Sequence, residues 1–167
     1  RAGSIRVTAE AGELAGAVEL DVAVPPMILF DMVVDGNRDL YRAALDGRDL
    51  DPTTTLMWLE LPGAEAAARG LPGLPVAHLR VLREADGTVR IGRVAVHGAH
   101  RRGGYGRQLM GAALEHARGI APGAEVHIDA QAYLEQWYAQ MGFETVGGVF
   151  IEAGIEHVAM VLRPSRG

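Results

Sequence analysis

The chain has 167 residues, 49% of them apolar, with 16 basic residues against 21 acidic ones and a formal net charge of −5. That length and apolar content suit one domain with a sizeable core, and the acidic balance, spread without a basic block, excludes a sequence-independent grip on nucleic-acid phosphates. Cysteine and lysine are absent and serine is confined to Ser4 and Ser165, which excludes thiol acyl-enzymes and lysine Schiff bases and leaves a serine triad only a terminal nucleophile.

Any group transfer is therefore expected to pass directly between two bound substrates. No apolar run is long enough to span a bilayer, no secretory leader is visible in the mixed, polar start, and a cytoplasmic location is expected. Arginine as the sole long basic residue, with abundant Ala and Gly, points to a GC-rich bacterial genome.

In chain order, residues 4–8 alternate as a first strand and 13–20 read as a helix. Pro25-Pro26 then interrupts, and the short apolar run 27–34 suits helix or strand equally. Residues 46–52 form a polar turn segment. Thr54–Leu61, β-branched and aromatic and closed by Pro62-Gly63, reads as a strand. The stretch 62–75, rich in Pro, Gly and Ala, reads as an expanded loop. Residues 76–82 and 88–97 make a hairpin through Asp86-Gly87, a strong turn signal. Gly106, Met110, Ala113, Leu114 and Ala117 lie on one face of a helix that Gly119 and Pro122-Gly123 stop. A strand over 125–130 follows, then a second helix striped by Leu134, Trp137, Tyr138 and Met141 and closed by Gly142. Strands over 143–150 and 156–162 end the series. The order predicts an α/β protein with a sheet of mixed direction.

The most informative stretch runs from Val89 into Arg101-x-x-Gly104-x-Gly106, a buried-type strand that feeds a glycine turn and then a helix. Glycines let backbone approach an anion closely, and the first-turn amides of a helix are unpaired donors at the positive end of its dipole, so the pattern reads as a pyrophosphate cradle. A dinucleotide fingerprint would need glycine at Leu109, and a Walker loop would need Gly-Lys-Ser/Thr. In isolation the turn could equally be an ordinary strand-to-helix connection with solvated arginines.

A second block, Gln131-Ala-Tyr-Leu-Glu-Gln-Trp-Tyr138-Ala-Gln-Met-Gly142-Phe143, joins the cradle to give a combination that resembles the GNAT superfamily of N-acetyltransferases. Gln131 stands where that superfamily usually has Asn. Three further pieces, Leu45-Asp46-Gly47-Arg48-Asp49-Leu50, Asp129-Ala130-Gln131-Ala132-Tyr133-Leu134 and Gly154-Ile155-Glu156-His157-Val158, are similar to signatures of the ElaA-like branch. The likeness covers roughly residues 45–162. Before residue 45 the chain departs from the branch pattern, and Phe30 stands where an arginine is expected.

The resemblance implies one acyl-CoA N-acyltransferase domain over 1–167, with a mixed, mostly antiparallel central sheet flanked by helices, a CoA-binding core over 89–143 and a poorly matched acceptor-side segment over 1–44. It implies acetyl-CoA as acyl donor; no metal is expected, because two ligands at i, i+2 on a strand without a third do not make a metal site. The backbone of Arg101, Arg102, Gly103, Gly104, Tyr105, Gly106 and Arg107 would hold the pyrophosphate. The strand edge of Val94, Ala95 and Val96 would pair with the pantetheine amides, and Gln131 would complete the cofactor site. Plain strand pairing on both sides is the alternative for that edge.

Attack by an amine on a thioester needs a held acyl donor, a neutral amine and an acid for the departing thiolate. By resemblance Tyr138 is the acid: a thiol has a pKa of about 8.5 and a phenol about 10, so a bonded tyrosine can hand over a proton late. Its place on the apolar stripe offers simple packing as the alternative. The base stays open among His78, His97, His127, His157, Asp46, Asp49, Asp129 and an ordered water; period-2 alternation puts His127 and Asp129 on one strand face. The expected activity is direct N-acetylation of a primary amine on a small molecule or peptide. A catalytically impaired acyl-CoA-binding module of the same fold is the rival, and an unrelated phosphate-binding domain a third. The terminal strands over 143–162 are the candidate edge for a homodimer. Neither nucleic acid nor membrane is an expected partner.

Overall fold

A computed structural model of the chain describes residues 6–11, 48, 53–68 and 73–164. The segments predicted at 13–20 and 27–34, and most of the turn at 46–52, lie outside the described residues.

Among the described residues four strands with antiparallel pairing come first: β1 Arg6–Ala11, β2 Thr54–Leu61, β3 Leu74–Arg83 and β4 Val89–Val96. Asp86 closes the β3–β4 hairpin by accepting bonds from the Thr88 amide at 2.9 Å and the Thr88 hydroxyl at 2.7 Å, while Gly87 takes a φ of 88° that L side chains avoid. The expected loop over 62–75 contains a short helix, α1 Ala64–Ala68. Its alanines have the highest helix propensity of any residue, and Gly63 O accepts the first-turn bond from Ala67 N at 3.0 Å.

Beyond β4 a 3₁₀ turn, Gly98–His100, and the glycine turn lead to α2, Tyr105–Ile120. Of the predicted stripe Met110, Ala113, Leu114 and Ala117 are buried, Gly106 is half-buried, and Leu109 joins them in the core. Then come β5 Val126–Gln131, a 3₁₀ turn Ala132–Leu134 and α3 Glu135–Ala139. The single strand predicted over 143–150 is split. Val146 still donates to Ala159 O at 2.8 Å, but Gly147 enters the left-handed region at φ 87° and turns the chain out. The pieces are β6 Glu144–Thr145 and β7 Phe150–Glu152, both paired to β8 Ile155–Leu162.

The sheet order is β1-β2-β3-β4-β5-β8-β6, with β7 also on β8. Every pairing is antiparallel except β4 with β5, so the mixed, mostly antiparallel sheet flanked by helices is as expected. α2 packs on β2, β3 and β4, and α3 on β5 and β6. Residues opposite one another across a register share a face. The face under the helices therefore carries Met57, Leu59, Leu79, Val81, Ile91, Ile128, Val158 and Met160, all buried. The other face carries Trp58, His78, Arg80, Arg90, His127, Asp129, Gln131 and His157.

Candidate functional site

The parallel strands at the centre of the sheet are paired over two rungs only, Val89 with Val126 and Arg90 with His127. Past that point β4 runs on to Val96 and β5 to Gln131 with no backbone pairing between them. A bulge causes the parting. Between the pairs Arg80–Gly92 and His78–Ala95 the β4 side has one residue more than β3, and Arg93 absorbs it at φ 55°, bending and twisting the strand. Within a strand the amide and carbonyl of one residue point to the same side and those of the next to the other. His97 N donates to Val76 O on β3 at 2.8 Å, so the backbone groups of Val94 and Val96 point into the gap and those of Ala95 toward β3. Arg101 Nε donates to Val96 O at 3.3 Å, which leaves Val94 and the Val96 amide open.

At the mouth of this gap the turn preceding α2 curls its amides inward. Arg102 has φ 66° and Gly104 φ 81°, each followed by a residue of ordinary φ, the alternation that forms an anion-binding nest. Gly104 is the N-cap and makes no side-chain cap bond, and the first turn of α2 holds no acidic residue. Among the described residues nothing accepts from the amides of Tyr105, Gly106 and Arg107; the first α2-region bond is Gln108 N to Gly104 O at 3.1 Å. The space is tight where it must be. A Cβ on Gly103 would lie 2.7 Å from Tyr105 Cε2, and one on Gly106 would lie 3.2 Å from Val96 Cγ2 and 3.5 Å from Trp137 Cζ2. Backbone, rather than side chain, therefore faces the mouth.

α3 closes over the same mouth. Arg107 donates to Gln140 Oε1 at 2.7 Å, so its side chain ties the start of α2 to the end of α3. Trp137 lies against Gly106, and Tyr138 is 5% exposed, edge-on to Trp137 at 4.7 Å and to Phe143 at 6.0 Å. No hydrogen bond is made by the Tyr138 hydroxyl among the described residues. Burial first, and the neighbouring Tyr133 second, push its pKa up to about 12. Gln131 stands at the end of β5, where its side-chain oxygen accepts from the Tyr133 hydroxyl. The sequence placed Trp137 only on an apolar stripe and did not single out Gln140, although the need for glycine at 106 implies a bulky neighbour.

The candidate bases do not converge. His97 accepts from Ala99 N at 3.2 Å and caps the 3₁₀ turn. His78 stands in register between Trp58 and Ala95. His127 and Asp129 share a face as expected but hold different partners, Glu125 at 3.2 Å and Arg90 at 2.6 Å. His157 is bonded through Nδ1 to Ile155 O at 2.9 Å and stacked on Phe150. Asp46 and Asp49 lie outside the described residues. Among the described residues no group of three or more His, Cys, Asp or Glu side chains could hold a metal ion, and no helix is long and apolar enough to cross a membrane.

A parted parallel strand pair, with an anion nest at its open end, is the architecture of an acyl-CoA N-acyltransferase fold. Residues 73–164 match the acetyltransferase (GNAT) domain, and the chain belongs to that family. Within it the chain is ElaA-like. It is 40% identical over 126 residues to a UPF0039 protein of Mycobacterium tuberculosis, covering 74% of this chain and 72% of that one. To ElaA of Escherichia coli it is 40% identical over 87 residues, 51% of this chain and 57% of the other. Among solved structures, an acyl-CoA N-acyltransferase from Pseudomonas aeruginosa superposes with a TM-score of 0.75 at 28% identity, covering 95% and 99% of the two chains. Escherichia coli ElaA does so at 0.73 and 27%, covering 96% and 100%. Acyl transfer is the chemistry of this family.

Proposed function

We propose that the protein is an acetyl-CoA-dependent N-acetyltransferase that moves the acetyl group directly to a primary amine of a small molecule or peptide. The observation that carries this reading is the β4–β5 gap with the amide nest at its mouth. The backbone of residues 101–107 would hold the pyrophosphate, Arg101 and Arg102 adding charge, and Val94 and Val96 offer strand-edge groups to the pantetheine amides, with Gln131 across the gap. Bound acetyl-CoA supplies the activated acyl group as a thioester.

Tyr138 keeps its proton at any working pH, because its pKa is raised to about 12, and is the proposed neutral donor to the leaving sulfur. In the exchange a C–N bond forms as the C–S bond breaks. The sulfur takes up a proton from Tyr138, and the proton that the amine gives up to a base or water returns through solvent to the phenolate. Residues 1–44 are proposed as the acceptor side, in one acyltransferase domain with the CoA core at 89–143. The cytoplasm is the proposed compartment.

Free-thiol release from acetyl-CoA across a panel of amines tests the reading. Release that depends on the amine supports it. Binding of CoA without release over the whole panel would replace it by an acyl-CoA-binding module, and failure to bind CoA would remove the family's cofactor from this chain.

A further inference from the structure

Where the two strands part, side chains form a bar across the gap. Beyond the last rung, Arg90–His127, the Arg90 guanidinium reaches two residues further along β5 and donates from Nη1 to Asp129 Oδ2 at 2.6 Å. Its Nε lies 3.6 Å from Glu84 Oε1, and Glu84 in turn is held by Arg48 at 2.6 Å. The bar thus crosses from β4 to β5 one step past the point where backbone bonding ends. On the opposite face the same depth is filled by Ile91 and Ile128, 1% and 3% exposed. Beside the bar, a Cβ on Gly92 would meet nothing within 4 Å among the described residues, and its φ is outside the left-handed region.

We propose that the Arg90–Asp129 bar and the open space at Gly92 form the blind end of the donor cleft and set the length of acyl chain that the protein accepts. This rests on the reading of the β4–β5 gap as the donor cleft. The nest lies at the open end of the gap and the last rung at the closed end, so the acyl end of a bound donor is directed toward the rung. A short acyl group fits beside Gly92. A longer one meets a charge-assisted ion pair, its side chains 39% and 38% exposed, that offers it no apolar surface to bury. The core face gives no escape, because Ile91 and Ile128 are already packed.

Calorimetric binding of free CoA, acetyl-CoA, butyryl-CoA and hexanoyl-CoA to the full chain tests the assignment. In the wild type, affinity stops rising beyond butyryl. In Asp129→Ala it continues to rise, by about fourfold per added methylene, the fold-change that corresponds to about 0.8 kcal/mol for burying one. Gly92→Val fills the space and lowers acetyl-CoA affinity at least about tenfold while free CoA binds as before. If Asp129→Ala does not fold by circular dichroism, Arg90→Met, which keeps the stem and removes the charge, gives the same readout. A wild-type affinity that climbs steadily through hexanoyl, or a folded bar variant with the wild-type profile, overturns the bar. Failure of the wild type to bind free CoA overturns the cleft reading instead.

Discussion

At the scale of one residue, Tyr138 separates packing from chemistry. Its ring is enclosed by Trp137 and Phe143 and its hydroxyl is unbonded among the described residues. If it only packed, Tyr138→Phe would cost little, since one hydroxyl bond contributes about 0.5–1.5 kcal/mol and this one is not made. As the donor to the leaving sulfur, its removal is expected to lower kcat about 100-fold with acetyl-CoA affinity unchanged, and the loss should shrink for donors with more acidic thiols. Full turnover by the Phe variant would return Tyr138 to the core. The raised pKa has a second consequence with a definite sign. The unfolded phenol titrates near its ordinary value and the folded one at about 12. The stabilisation is therefore whole below the unfolded pKa of about 10 and is lost as pH rises through about 12, an effect of roughly 2–3 kcal/mol. Urea midpoints at about pH 9 and about pH 11.5 should fall more steeply for the wild type than for Tyr138→Phe; equal slopes would contradict the burial.

At the scale of elements, the turn between β4 and α2 is where conformation and binding meet. Gly104 has φ 81°, and a Cβ on it would touch nothing. The penalty of a side chain there is conformational, of order 1–3 kcal/mol. Gly104→Val is expected to keep its circular dichroism and lose CoA affinity by at least about tenfold; a folded variant with unchanged calorimetric affinity would remove the pyrophosphate reading.

Much of this region was legible in the sequence, for physical reasons. Thr54–Leu61 has β-branched residues at its start and Pro62-Gly63 as its stop, and α2 has an apolar stripe that fits its period. Other features leave no local trace. The strand expected over 143–150 contains Gly147-Gly148, and only the fold shows that the chain turns there and divides it. The bulge in β4 sits at Arg93, a residue type that gives no sign of a positive φ. Arg90 and Asp129 meet across 39 positions of sequence, a distance over which periodicity carries no information. Tyr138 was legible as a buried position from its stripe, but the convergence of Trp137 on Gly106 required two helices to be placed in space.

At the scale of the molecule, a ligand that binds only the folded state stabilises it by mass action. At 100 times its Kd this amounts to about 2.7 kcal/mol. For a chain of this length each kcal/mol moves Tm by about 2–4 °C. Saturating acetyl-CoA should therefore raise Tm by about 5–10 °C. Free CoA should do nearly as well, because the proposed grip is on the pyrophosphate and pantetheine rather than the acyl group. A shift below about 1 °C in differential scanning calorimetry would argue that the gap is not the CoA site.

The two-rung junction between β4 and β5 also bears on how the protein opens. Among the described residues α2 packs on β2–β4 and α3 on β5 and β6, so each side of the junction has its own helix and its own ladder. Protection against amide hydrogen exchange should accordingly divide into two cooperative blocks whose boundary falls at Arg90 and His127. A donor that bonds to strand edges on both sides supplies the rungs the backbone omits. Occupancy would then register as the merging of two exchange classes into one, a change in cooperativity with no need for any change in shape.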